Sequence, residues 1–230
     1  MFVKFMQIIA RKKAPVNVRD LTRVSPVSNV MGGDRGTPID RYYIENFFRK
    51  NSHLIRGRVL EVGDSRYSRK FSSGKAGSFD VLHFVPGSRE ATLIGDLRDT
   101  ATLPTSAFDC FICAQTFQYT FEIRKAIEGA FYLLKPGGVL LATVPGISQI
   151  SRYDAERYGE YWRFTTDSLQ RLFEPVFGAD LEIESFGNVM AATAFLQGIV
   201  LEDLPDLSLL DERDQDYQML LTIRAGKAGG

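Results

Sequence analysis

Two hydrophobic periods alternate along the chain. Short continuous apolar runs, the pattern of strands buried on both faces, are separated by stretches whose apolar residues recur every three to four positions, the pattern of amphipathic helices. The runs predict strands at Arg58 to Gly63, Phe79 to Phe84, Thr92 to Asp96, Phe108 to Ala114, Val139 to Val144, Asp180 to Phe186 and Tyr217 to Ile223. The helical pattern predicts a first helix that opens at Thr37-Pro38-Ile39-Asp40, with Thr37 as cap and Pro38 in the first turn, carries Ile39, Tyr42, Tyr43, Phe47 and Phe48, and ends near Asn51. A second runs from about Phe121 to Leu134 and stops at Lys135-Pro136-Gly137-Gly138. A third is capped by Thr165 or Thr166, buries Leu169, Leu172 and Phe173, and is closed by Pro175 and Gly178; a fourth covers Val189 to Gln197. Strands that alternate with helices imply an α/β fold with a mostly parallel sheet covered on both faces. The organisation expected is an arm over 1–36, a domain over 37–225 with a cap at 145–165, and a frayed tail at 226–230.

Composition adds little to this picture. The 230 residues are 44% hydrophobic and 24% charged, and 28 basic residues balance 28 acidic ones, so overall charge gives no reason to expect a nucleic-acid partner. The charge is segregated. The basic residues Lys4, Arg11, Lys12, Lys13, Arg19, Arg23, Arg35, Arg41, Arg49, Lys50, Arg56 and Arg58 lie early; Glu202, Asp203, Asp206, Asp211, Glu212, Asp214 and Asp216 lie late. Two solvated faces that attract each other weakly are the plain expectation, and a basic lip over an anionic substrate the sharper one. No run reaches the roughly 20 apolar residues a membrane span needs. Met1 to Ala10 is apolar, but Arg11-Lys12-Lys13 follow it, whereas a secretory signal carries its charge first; an in-plane anchor or a docking helix is the alternative there. Cys110 and Cys113 have a C-x-x-C spacing, yet on a strand they face opposite sides, which argues against a redox pair or metal site and suits a reducing cytoplasm.

The ordered set Glu61-Val62-Gly63 after a strand, Gly95-Asp96-Leu97, Phe108-Asp109 opening a strand, and Lys135-Pro136-Gly137-Gly138 after a helix resembles the class I S-adenosylmethionine-dependent methyltransferases. The likeness runs from about Ile39 to Ile223. Gly36-Thr37-Pro38-Ile39-Asp40-Arg41-Tyr42-Tyr43-Ile44-Glu45, Tyr161-Trp162-Arg163-Phe164-Thr165 and Gly187-Asn188-Val189 are similar to small bacterial members associated with sugar and natural-product pathways. The resemblance implies a Rossmann-like, seven-stranded, mostly parallel sheet with helices on both faces and the last strand antiparallel. It implies S-adenosylmethionine as cofactor, held across the carboxyl ends of the strands by Glu61, Gly63, Asp64, Ser65, His83, Phe84, Asp96, Leu97, Gln115 and Tyr119. Within that set Asp96 answers to the residue that meets the adenine, and Tyr119 suits a sulfonium.

Two departures from the family pattern stand out. The usual Glu-x-Gly-x-Gly-x-Gly here reads Glu61-Val62-Gly63-Asp64-Ser65-Arg66-Tyr67, so Ser65 and Tyr67 replace glycines. The acid that grips the ribose at the end of strand two is missing; Leu82-His83-Phe84 stands there, and Asp80 lies at the strand's start.

The activity expected is O-methylation of a sugar or natural-product hydroxyl, a small-molecule acceptor, with oligomeric state left open. Arg41, Tyr42, Tyr153, Tyr161, Trp162 and Arg163 are the acceptor-binding candidates, because aromatics with arginines suit a sugar, a polyketide or an anion. Asp40, Arg41, Tyr42 and Tyr43 are expected to lid the cleft. Tyr119, Asp154 and Glu160, with Glu156 beside them, are the candidates for proton transfer; no metal cluster is expected. The altered loop motivates the alternative, a protein of this fold that no longer transfers methyl, such as a cyclase, another non-methylating enzyme or a scaffold partner, and that reading predicts an occluded cofactor cleft. A nicotinamide dehydrogenase is disfavoured because Gly-x-Gly-x-x-Gly is absent.

Overall fold

A computed structural model describes residues 24–229. The first part of the expected arm, with Met1 to Ala10 and the cations from Lys4 to Arg23, lies outside the described residues.

Seven strands form one sheet: β1 (Gly57–Val62), β2 (Ala76–His83), β3 (Leu93–Ile94), β4 (Phe108–Ala114), β5 (Leu134–Pro145), β6 (Leu181–Phe186) and β7 (Leu220–Gly226). Their order is β3-β2-β1-β4-β5-β7-β6. The first five run parallel, and β7 is antiparallel to both β5 and β6. The chain therefore builds outward from β1 to β3, then returns to place β4 and β5 on the other side of β1. That reversal opens a crevice at the carboxyl ends of β1 and β4, where ligands of open α/β sheets lie.

Among the described residues six α-helices cover the sheet: α1 (Ile39–Lys50), α2 (Arg66–Phe71), α3 (Ile123–Leu133), α4 (Arg152–Tyr158), α5 (Thr166–Phe177) and α6 (Val189–Gln197). Helices α3 and α5 pack a core on one face with Phe111, Leu140, Ile127 and Phe173; α1, α2 and α6 pack the other with Ile39, Phe48, Tyr67 and Phe195. Cys113 belongs to the first core and Cys110 to the second, so the thiols lie on opposite faces. Burial raises both, Cys113 to about 12, and keeps them as inert thiols.

Several expectations are revised by local chemistry. Thr37 does not cap α1; Pro38 holds the cap position, while the Thr37 N–H and hydroxyl donate to Glu202 at 2.9 and 2.7 Å. Thr165 does cap α5, in a reciprocal capping box with Ser168, but the helix continues through Pro175 to Phe177 before Gly178 ends it. Lys135-Pro136-Gly137-Gly138 lies inside β5 as a bulge, and the Gly137 N–H donates to the carbonyl of Lys227 at 2.8 Å. The same pairing ties down the expected frayed tail, since Gly226 belongs to β7 and the Lys227 N–H donates to Gly138 at 2.8 Å. Strands β2 and β7 start at Ala76 and Leu220, and β3 shrinks to two residues. Helices α2 and α4 have no counterpart among the predicted elements.

Residues 24–36 are docked onto the domain. The N–H groups of Val27 and Ser28 donate to the Gln197 carbonyl, at 2.7 and 3.2 Å. The charge segregation resolves into surface pairs between early cations and late acids, Arg35–Asp203 at 2.9 Å and Lys50–Glu184 at 2.8 Å. No helix among the described residues is long and apolar enough to cross a membrane.

Candidate functional site

Strand β1 ends in Glu61-Val62-Gly63, and the path of the chain beyond it depends on Glu61. Its buried carboxylate accepts the N–H groups of Tyr67 (3.1 Å) and Ser68 (2.8 Å), the free donors in the first turn of α2. Burial pushes this carboxyl up to about 7, against the lowering effect of the bonds from Ser68 and Tyr67. Glu61 thus folds the loop into a helix start and holds Gly63 at the open edge of the sheet. Gly63 has φ +87°, and nothing lies within 4 Å of where a Cβ would stand.

The two lost glycines turn out not to be needed for the backbone. Ser65 has φ −115°, and Tyr67 is inside α2, so neither sits in the left-handed region. The Tyr67 ring packs on Phe48, with centroids 4.9 Å apart, its hydroxyl meets the Arg41 guanidinium, and the residue lines the part of the crevice beside α1. Ser65 accepts from Arg69 at 2.8 Å.

The crevice holds two cavities. The first, of about 370 Å³, is lined by Gly63, His83, Phe84, Asp96, Leu97 and Arg98, among others, at the ends of β1 to β3 and beyond. The second, of about 460 Å³, lies under the docked segment Asn29-Val30-Met31, α1 and the cap, and is lined by Asp40, Arg41, Glu61, Asp64, Gln118 and Glu160 among others. Val62, Gln115, Tyr119 and Asp154 line both and mark the junction. Gln115 is held there at φ +48°, its N–H donating to the Thr143 carbonyl at 2.8 Å, an uncommon conformation for a residue with a side chain.

In the first cavity His83 has Nε2 2.7 Å from the Gly63 carbonyl. A carbonyl only accepts, so Nε2 carries the proton and donates, which leaves Nδ1 as an acceptor when the ring is neutral. Asp96 is gripped by Arg98, whose Nη2 lies at 2.7 Å and Nε at 3.0 Å from it, and Arg98 holds the Asp96 carboxyl below its usual range. The Arg98 guanidinium also reaches Glu122 and stands over the exposed Phe84 ring. Asp80 is paired with Arg58 at 2.7 Å and does not line the cavity. Arg157 and Tyr158 of α4 close the cavity from the cap side, a contribution the sequence does not reveal because α4 is too short to show a period.

In the second cavity Tyr119 donates to Asp154 Oδ2 at 3.2 Å, and the Ser151 hydroxyl donates to the same oxygen at 2.7 Å. Burial, with Asp154 and Glu160 nearby, raises the Tyr119 phenol, which keeps it a donor. Glu160 lines the cavity but is bound to Arg163 at 2.6 Å and accepts the Ser151 N–H at 2.8 Å. Glu156 is exposed and lines neither cavity.

Of the expected acceptor contacts, Arg41 and Tyr153 line this cavity. Tyr42, Tyr161, Trp162 and Arg163 do not. Tyr42 lies at a separate hollow and donates to Asp211 at 2.8 Å; Tyr43 packs on Phe186. Tyr161 packs edge-on against Phe121, and the Trp162 indole N–H donates to the Thr120 carbonyl at 2.9 Å. Arg163 spends its guanidinium on Glu160 and on carbonyls of the cap, including that of Gln149 at 2.7 Å. Tyr161, Trp162 and Arg163 thus fasten the cap and Tyr42 ties α1 to Asp211, while Tyr153 and Tyr158 are the cap aromatics that line the two cavities. Asp40, read only as part of a lid, and Gln118, not singled out by sequence, are buried side chains of the cavity.

Residues 60–142 match the family model of a methyltransferase domain. No curated protein matches the chain in sequence. Among solved structures, the chain is similar to a SAM-dependent methyltransferase from Archaeoglobus fulgidus (TM-score 0.53, 11% identity, 81% of this chain and 94% of that one). It is also similar to a putative sarcosine dimethylglycine methyltransferase from Galdieria sulphuraria (0.52, 12%, 81% and 86%) and to the [4+2]-cyclase SpnF (0.53, 17%, 82% and 81%). At these identities the likeness is one of fold, the Rossmann-like methyltransferase fold; together with the domain match it supports S-adenosylmethionine as the cofactor.

Proposed function

We propose that this chain is a class I S-adenosylmethionine-dependent methyltransferase, and that it methylates a hydroxyl of a small polar molecule, a sugar or a hydroxylated natural product; the domain match over 60–142 and the fold support this. The observation that carries this is the meeting of two cavities at Val62, Gln115, Tyr119 and Asp154, one at the ends of β1 to β3 and one under the cap. Two reactants held on either side of such a junction are brought into line without a bimolecular search, and alignment of this kind supplies much of a displacement's rate.

The open position beside Gly63, the Nδ1 of His83 and the walls given by Phe84 and Leu97 fit the cofactor's nucleoside part; Gln115 and Tyr119 stand at the junction, with Asp64 on its other side. S-adenosylmethionine, when bound, supplies a methyl group on a good leaving group. The protein's share is to orient, desolvate and accept a proton. Asp154 is the group that accepts the proton. It lines the junction, and Ser151 and Tyr119 hold its Oδ2, fixing the carboxylate there. Tyr119 is a positioning residue for Asp154. The same reading puts the enzyme in a reducing cytoplasm, which suits two buried, unpaired cysteines.

The non-methylating alternative keeps one point of support, since a [4+2]-cyclase shares the fold. Its expected mark is an occluded cleft, and the open cavity beside Gly63 counts against it. Incubation of the protein and S-adenosylmethionine with hydroxylated sugars and polyketides tests the reading. Acceptor-dependent S-adenosylhomocysteine with a mass gain on the acceptor oxygen supports it; cyclised or unmodified products without S-adenosylhomocysteine contradict it.

A further inference from the structure

The acceptor cavity has a one-sided hydrogen-bonding character at its buried wall. Two side chains that line it, Asp40 at 8% and Gln118 at 2% exposure, each have an oxygen with no partner among the described residues, Asp40 Oδ1 and Gln118 Oε1. Both atoms accept. Asp40 sits in the first turn of α1, and burial raises its carboxyl against the pull of Arg41 and the nearby backbone N–H groups. Gln118 follows β4, and its amide nitrogen donates to Gln115 Oε1 at 3.4 Å, which leaves the amide oxygen as the unpaired atom.

Leaving buried acceptors unpaired is costly, and they are rare without a reason. Among the described residues no cation bonds to either oxygen, although Arg41 pulls on the Asp40 carboxyl through space. Arg41 is engaged by the Tyr67 hydroxyl, Arg66 by Asp64 at 3.3 Å, and Arg152 is exposed on α4. The other acids of the cavity, Glu61, Asp64, Asp154 and Glu160, already accept from Tyr67 and Ser68, from Arg66, from Ser151 and Tyr119, and from Ser151 and Arg163. The unmet demand is for donors at Asp40 and Gln118.

We infer that Asp40 and Gln118 are the specificity pair for the acceptor, and that the acceptor is a donor-rich, uncharged or cationic molecule: the adjacent hydroxyls of a sugar, or the hydroxyl and ammonium of an amino sugar. An anionic acceptor is disfavoured by a buried carboxylate, and a simple phenol carries one donor too few. The inference rests on the methyltransferase reading and narrows its substrate class.

The test is calorimetry on the folded chain loaded with S-adenosylhomocysteine, using four probes: methyl α-D-glucopyranoside, glucosamine, glucuronate and 4-nitrophenol. One or both of the first two bind, about tenfold or more tighter than the last two; the preferred one tells diol from amino sugar. Gln118→Leu weakens that binding by about tenfold or more and raises Tm by a few degrees, because an unpaired buried acceptor is removed. Asp40→Asn weakens it similarly, and both variants keep S-adenosylhomocysteine affinity within about twofold. If Asp40→Asn does not fold, Gln118→Leu decides alone. Failure of all four probes on protein that does bind S-adenosylhomocysteine overturns this inference, as does equal or tighter binding of glucuronate or 4-nitrophenol, or unchanged sugar binding in Gln118→Leu. Loss of S-adenosylhomocysteine binding in the variants would assign the pair to the cofactor instead. Absence of S-adenosylhomocysteine binding in the unaltered chain would strike the methyltransferase reading itself.

Discussion

His83 Nε2 donates to the carbonyl of Gly63 across 2.7 Å, joining the ends of β2 and β1 at the mouth of the crevice. This bond stands where an acid is expected at the end of strand two, and it does a different job: it fixes the ring and the Gly63 peptide together, leaving Nδ1 to meet a hydroxyl. His83→Ala is therefore expected to cost about 1 kcal/mol of stability and to weaken S-adenosylhomocysteine binding by about tenfold, read by thermal unfolding and calorimetry on the same sample. Unchanged affinity would remove His83 from the site.

The relation of Tyr67 to Phe48 makes a counterintuitive prediction. Placing a glycine at this position, Tyr67→Gly, should not improve cofactor binding, because the ring fills the core between α1 and α2. It should destabilise the fold by about 3–5 kcal/mol, as for loss of a buried aromatic. Tyr67→Phe keeps the packing and loses only the Arg41 contact, with an expected cost of about 1 kcal/mol. Denaturant unfolding separates the two.

Glu61 gives a pH signature. Its folded carboxyl is raised to about 7 by burial, above the ordinary value of 4.5, so the folded state favours the protonated form. That contribution is fully present below about pH 4.5 and is lost as pH rises through 7. Glu61→Gln lacks this titration, so the stability difference between it and the unaltered chain should change between these values and level off above them. A flat difference from pH 4 to 8 would contradict the assignment.

Asp154→Asn removes the proton acceptor at the junction while keeping its shape and its bond from Ser151. The expected result is a kcat lower by about 10²-fold or more with S-adenosylhomocysteine affinity unchanged. Tyr119→Phe should act through Asp154, lowering kcat less and shifting its pH profile. Equal kcat in Asp154→Asn would move the chemistry to alignment alone.

The sheet was legible because buried parallel strands write continuous apolar runs, and β1, β4 and β5 do so at Val59 to Val62, Phe108 to Ala114 and Val139 to Val144. Helix α6 was legible to the residue, since Asn188 caps it and Gly198 ends it. The features that escaped were short or tertiary. Helix α2 has six residues and starts because the Glu61 carboxylate, ahead of it in the chain, reaches its N–H groups; no local period reveals that. The cap looked like a recognition surface because composition does not say which way Trp162 and Arg163 point. Asp40 and Gln118 carry their meaning in the partner each lacks among the described residues, a property of the packed fold that no local pattern encodes.

The central claim, that the altered loop still holds the cofactor, is tested most directly by titrating S-adenosylhomocysteine into the folded chain, with Gly63→Ala beside it. Among the described residues nothing beyond Gly63 and its chain neighbours lies within 4 Å of the added Cβ, so a loss of binding larger than the strain at φ +87° explains points to a clash with the ligand. Saturable binding in the micromolar range, lost in Gly63→Ala, is the predicted result. No heat at millimolar S-adenosylhomocysteine, from protein shown to be folded, would contradict it.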